Sequence, residues 1–302
     1  MTKPIETFKT DKLNIVFSAS SFDLFELCEC RFNYGHNMRK SEPPDKRSKA
    51  LDYGALCHKG LEVYFNNLAT GDKFADRMHK TIMKIREVAS SEESNINISE
   101  ELTPLTSAIE QSCDFWRSED EQLEVLAAEA PFDYILYEDD FIRIIISGKI
   151  DLLVNVHGIG NNASYINLPF DHKTFSRTFP TIRLNNQFMN YCVATGSNYL
   201  IVNKIGLQKT LDADKKFLRI PLSYDPVMFE QWKDNVIKVI IDKYLTCVKT
   251  GNWHMNFMSC QAFGRLCEFH PVCDSSGQEA KDYKLASLYM DKAAWDKYED
   301  ND

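Results

Sequence analysis

The sequence predicts an α/β fold, with helices around a sheet, and three observations carry that prediction. Apolar residues recur at helical spacing through most of the chain up to about Leu126. From about Ala130 the texture turns to runs rich in Ile, Val, Tyr and Phe broken by turn signals, and beyond position 181 helix and strand patterns alternate. With 302 residues, 44% of them hydrophobic, the chain can bury a substantial core.

In order, "SASSFDLFELCECRFNY" reads as a helix capped by Ser20 or Ser21, with Phe22, Phe25, Cys28 and Phe32 on one face. "MRKSEPPDKRSKALD" reads as a charged loop, and "YGALCHKGLEVYFNNLATG" as a second helix supported by Leu56, Leu61, Val63 and Phe65 and stopped by Gly71. His58 and Glu62, four apart, share a face of it; Glu62 is read as an exposed helical carboxylate. Helices continue from about Lys73 to Leu126, interrupted at "SSEESNIN". "FDYILYEDDFIRIIISGKIDLLVNV" and "SYINLPFDHKTF" read as three strands in hairpin connection. A helix at "IRLNNQFMNYCVATG", strands at "YLIVNKIG" and "FLRIPLS", a long helix from Pro226 to Thr250 and a loop-like tail with three cysteines complete the reading. Neither an internal repeat nor an interdomain linker is visible, so 1–302 reads as one domain: mainly helical to 128, a core over 129–222, helix and tail over 223–273, and an extension over 274–302.

The polar start and the lack of any run of about 18 apolar residues predict neither a secretory signal nor a membrane span, and place the chain in the cytoplasm. Nine cysteines there are not expected to form disulfides. The net charge of -9 argues against broad adhesion to nucleic acid while permitting a local basic groove. No phosphate-binding loop accompanies "SGK".

Residues two apart on a strand face together, so Asp171 and Lys173 share a side and His172 faces away. Asp151, on the preceding strand, reaches the same edge if the two strands pair. Two carboxylates beside an amine suit a Mg2+ or Mn2+ hydrolytic site, in which the lysine orients or activates water. Gln187 and Tyr191 lie four apart on one helix face.

The pieces "SASSFDLFELCECRF", "GALCHKGLE", "GKIDLL", "DHKT" and "QFMNY" occur in the order of the PD-(D/E)XK nucleases, and over most of its length the chain resembles the RecB-like branch. The likeness includes CRISPR-associated exonucleases and phage-encoded relatives that act in DNA repair and recombination. The resemblance implies a restriction-endonuclease-like core of a mixed sheet flanked by helices, with the N-terminal helices and a C-terminal cysteine tail closing on each other. It implies metal binding by His58, Asp151 and Asp171, catalysis by Lys173, and orientation of that lysine or of the DNA by Gln187 and Tyr191. It implies a deoxyribonuclease, probing single-stranded DNA or DNA ends as an exonuclease, with a separate helicase or recombinase as partner; a catalytically silent binding protein of the same fold is the alternative. In a phage-encoded member the compartment is the host cytoplasm.

It also implies a 4Fe-4S cluster on Cys28, Cys260, Cys267 and Cys273, with zinc as the less favoured occupant of four thiolates. Relatives carry Cys-Pro where this chain has Cys28-Glu29-Cys30, so Cys30 competes with Cys28; on one helix the two would point about 200° apart. Cys57, Cys113, Cys192 and Cys247 are expected to be buried structural thiols. Phe175, Phe179 and Tyr191 are candidates for base stacking, with core packing as their commoner role.

Overall fold

A computed structural model describes residues 12–43, 49–90, 102–159, 163–175, 183–208, 210–262 and 266–292. In chain order it contains β1 (Leu13–Phe17), α1 (Ala19–Leu27), α2 (Glu29–Phe32), β2 (Lys40–Ser41), α3 (Lys49–Ala69), α4 (Phe74–Ala89), α5 (Leu102–Phe115) and α6 (Arg117–Asp120). Then follow β3 (Leu123–Glu138), β4 (Ile142–Ile159), β5 (Ala163–Phe175), α7 (Asn186–Thr195), β6 (Tyr199–Gly206), α8 (Ala213–Lys216) and β7 (Phe217–Ser223). The last stretch holds α9 (Pro226–Trp232), α10 (Lys238–Thr250), α11 (His270–Cys273), α12 (Gln278–Leu288) and β8 (Met290–Asp291). A π-helical turn, Lys233–Ile237, joins α9 to α10. None of the described helices is long and apolar enough to cross a membrane.

The chain divides into two compact units, each assembled from separated segments. The first draws on 1–47, 135–147 and 226–301, the second on 48–134 and 148–225. A linker between consecutive domains therefore has no counterpart in the sequence.

The second unit is a mixed sheet flanked by helices, the restriction-endonuclease-like arrangement. β4 runs antiparallel to β5, with Leu152 opposite Phe170. β5 is parallel to β6, with Asp171 opposite Val202, and β6 is antiparallel to β7. The parallel step needs a crossover, and α7 supplies it. Asn185 caps α7 by accepting from the amides of Gln187 and Phe188, and Gly196 closes it at φ 70°. Strand alternation then divides chemistry from core. Phe170 and His172 face α3, where Leu152, Val154 and Phe170 pack with Leu56, Leu61 and Phe65, and with Leu105 and Ile109 of α5. Asp171 and Lys173 project to the α7 side. Gly60 lets α3 and α4 approach, since a Cβ there would stand 2.6 Å from Ile85 Cδ1.

In the first unit β1 lies parallel to the start of β4, Leu13 opposite Ile142. Phe17, Phe22, Phe25, Phe32 and Tyr244 form a buried aromatic group. A second core joins Cys28, Cys30 and Tyr34 to Phe269, Val272, Leu285 and Tyr289, bringing early and late segments together. Arg31 and Glu268 pair through two hydrogen bonds of 2.9 and 2.7 Å.

Several expectations are corrected. The cap of α1 is Ser18, not Ser20 or Ser21: Ser18 Oγ accepts from the Ser21 amide and Ser21 Oγ from the Ser18 amide. The helix does not continue through Cys28, which is extended at φ -166° and ψ 111°. The segment read as a charged loop contains β2, paired with β8, while 44–48 lie outside the described residues. β3 begins at Leu123, inside the stretch expected to be helical. The tail expected to be loop-like contains α12.

Candidate active site

All the polar groups of the candidate site belong to the second unit. Lys173 Nζ donates to Asp171 Oδ1 at 2.7 Å and to Gln187 Oε1 at 3.0 Å. Gln187 Nε2 donates to the Tyr191 hydroxyl at 2.9 Å, and that hydroxyl donates to Asp151 Oδ1 at 3.3 Å. The other oxygen of Asp151 accepts from the backbone amide of His172 at 2.6 Å. Five side chains from two strands and one helix thus form a continuous relay that fixes the lysine head. The i, i+4 spacing of Gln187 and Tyr191 delivers both from one face of α7.

His58, on α3, reaches the same carboxylate. Its Nδ1 is 3.5 Å from Asp151 Oδ1 and 3.5 Å from Glu129 Oε1. Donor atoms of His58, Glu129 and Asp151 lie within 4.8 Å of one another, the one such grouping of three or more possible metal ligands among the described residues. The sequence reading placed Asp171 in that set; here Lys173 holds one of its oxygens, and Oδ2 is buried with no hydrogen-bond partner among the described residues. Glu62, four residues from His58, pairs with Lys59 at 3.1 Å instead.

Glu129 was not singled out from the sequence. It sits in "LAAEAPF", and its φ of 49° is left-handed, a conformation costing roughly 1–2 kcal/mol in a residue with a Cβ. Exposure changes phase across it: Glu124 and Leu126 point outward before it, Pro131, Ile135 and Tyr137 after it. That break in the strand's two-residue period re-aims the carboxylate. The available signal was a lone acid among alanines in an apolar strand.

Burial dominates the electrostatics. It pushes the Asp171 carboxyl up to about 7, against the pull of Lys173 and with the push of Asp151. Asp151 is also raised by burial, opposed by His58 and Lys173. His58 is pulled down by burial but raised further by Asp151 and Glu129, to about 9. A proton on His58 is therefore held by two carboxylates, and a cation can replace it. Two carboxylate oxygens, an imidazole nitrogen and the bare Oδ2 of Asp171 suit a hard divalent ion. Behind the site, His172 is kept neutral by burial, stacks on Phe65 at 5.7 Å and shares a 3.0 Å hydrogen bond with Asn203. Phe175 and Tyr191 are buried, as core packing demands, and Phe179 lies outside the described residues.

The cysteines segregate. Cys57, Cys113, Cys192 and Cys247 are buried in helices, Cys247 donating to Glu29 Oε2 at 3.0 Å. Cys28 and Cys30 belong to the buried core of the first unit, with Cys267 and Cys273 packed against it. Cys30 Sγ and Cys273 Sγ are 3.9 Å apart. Their shared hydrogen bond draws the Cys30 thiol down to about 7, against burial, and raises that of Cys273. Cys260 is half-buried, its Sγ 3.9 Å from the Asn256 carbonyl.

A mixed sheet that presents carboxylates and a lysine beside an imidazole defines a cation-dependent phosphodiesterase class. The family model of the PD-(D/E)XK nuclease superfamily matches residues 16–274, and the chain belongs to that superfamily, whose members use divalent metals such as Mg2+ or Mn2+. No curated protein sequence matches. Among solved structures, an alkaline exonuclease (LHK-Exo) from Laribacter hongkongensis is similar at 10% identity and a TM-score of 0.29, over 64% of this chain and 96% of that one.

Proposed function

We propose that this chain is a RecB-like deoxyribonuclease that degrades single-stranded DNA or DNA from its ends. Membership of the nuclease superfamily supports the reaction class, and the relay from Asp171 through Lys173, Gln187 and Tyr191 to Asp151 is the observation that carries the assignment of roles. His58, Glu129 and Asp151 would hold the cation, with Asp171 adding its free oxygen. When bound, a divalent ion offsets charge on the phosphate and lowers the pKa of water beside it. Lys173 orients or activates that water; Asp171 and Gln187 keep its ammonium in place. Tyr191 and the His172 amide hold the Asp151 carboxylate in one rotamer.

The cysteine centre of the first unit is assigned to a 4Fe-4S cluster. Four ligands about 2.3 Å from one tetrahedral zinc stand roughly 3.8 Å apart. No three cysteine sulfurs among the described residues come within 4.8 Å of one another, which favours a larger occupant.

End-labelled single-stranded, linear duplex and circular DNA, offered to anaerobically purified protein with Mg2+ or Mn2+, test the proposal. Loss of label from the linear substrates, abolished in Lys173→Ala, is expected. Intact DNA in every arm sinks it and leaves a silent binding protein of the same fold; RNA cleavage alone would reassign the substrate.

A further inference from the structure

The family likeness draws one cluster ligand from the N-terminal segment and three from the tail. The structure of the first unit divides the thiols differently. Cys28 ends α1 in an extended conformation and caps α2, so it and Cys30 do not stand on opposite sides of one helix. Both are buried in the same apolar core, at 9% and 6% exposure, against Phe269 and Val272. Cys267 and Cys273 pack onto that core, and Cys30 Sγ approaches Cys273 Sγ to 3.9 Å.

Cys260 is placed otherwise. It follows the 3-10 turn Phe257–Ser259, is not part of that core, and its sulfur faces a main-chain carbonyl. Its link to the other cysteines is through the backbone, its carbonyl accepting from the Cys267 amide at 2.7 Å. Charge proximity follows the same division: Cys30, Cys267 and Cys28 each bear on Cys273, and Cys28 on Cys267, with Cys260 in neither group.

We infer that the thiolate ligands are Cys28, Cys30, Cys267 and Cys273, a two-plus-two set from the opposite ends of the unit, with Cys260 outside it. The arrangement relieves the crowding of buried thiols, because four sulfurs that repel one another as thiolates are held together once they share a cationic centre. Cys260 then serves the fold through its main chain. The inference rests on the iron-sulfur assignment, and its test separates the two.

Full-length parent, Cys30→Ser and Cys260→Ser are purified anaerobically and assayed for iron, acid-labile sulfide, zinc and visible absorbance. Cys260→Ser is expected to keep the parent's iron and sulfide, and Cys30→Ser to lose most of both. Loss in Cys260→Ser, or retention in Cys30→Ser, overturns the ligand set. Stoichiometric zinc without sulfide in the parent overturns the cluster, while zinc in the two variants still scores the ligands; a parent with no metal overturns both.

A second measurement uses the parent alone, in case Cys30→Ser fails to fold. Cys260, Cys267 and Cys273 are all half-buried, so iodoacetamide labelling read by mass spectrometry compares like with like. Cys260 is expected to label in the metal-loaded protein, and Cys267 and Cys273 only after chelation. Protection of Cys260 equal to that of Cys267 defeats the inference.

Discussion

Lys173 has two acceptors, Asp171 and Gln187, and its loss should affect chemistry more than folding. Lys173→Ala is expected to lower DNA cleavage by ~10²–10⁴-fold, the usual range for a positioned acid-base group, with an unchanged melting temperature. His58 brings a pH dependence whose sign follows from its environment. In cation-free protein its pKa rises from 6.5 to about 9, so this contribution to stability is full below 6.5 and fades as pH climbs through 9. Asp171, raised from 3.8 to about 7, likewise loses its contribution between those values as pH rises. A bound cation replaces both protons. The melting-temperature increase produced by Mn2+ should therefore grow from pH 6 to pH 9, and grow less above pH 7 in His58→Gln; calorimetry with and without Mn2+ gives the answer. Glu129→Gln should weaken Mn2+ binding by at least ~10-fold, the lower end for disturbing a metal site's surroundings. Unaltered affinity in a titration would remove Glu129 from the set.

At the scale of elements, the glycine of "SGKID" sets the spacing behind the relay. A Cβ on Gly148 would stand 2.6 Å from the Phe132 ring, which meets Tyr191 edge-on at 6.0 Å between centroids. Gly148→Ala is expected to cost about 1–3 kcal/mol in denaturant unfolding, the range for overpacking, and to reduce cleavage because Tyr191 is displaced. Elements with strong local periodicity were legible: β6, β7 and the helix carrying Gln187 and Tyr191 fall where the apolar pattern puts them. What escaped depends on distant partners or lacks a stripe. β2 and β8 pair across some 250 positions for two residues each, Lys40 opposite Asp291, and "QEAKDYKLASL" buries only Leu285 of its helix. Glu129 escaped because a phase break in a strand follows from the fold, whereas Asp171 and Lys173 needed only their own spacing.

Across the whole molecule, the metal-binding and cysteine features fall in different units. Chelating the cysteine centre should raise hydrogen exchange in α1, α2 and α12 first, because the core that joins them is the one holding the thiols. Uniform exchange after chelation would argue against a local role for the centre. The interleaved segments also have a consequence for manufacture. Residue 225 completes the list of segments belonging to the second unit, while the first still awaits everything from Pro226 onward. On a ribosome, the hydrolytic half is fully spelled out before Cys267 and Cys273 have been translated, so the helices around Cys28 must wait, partly undressed, for the last quarter of the message.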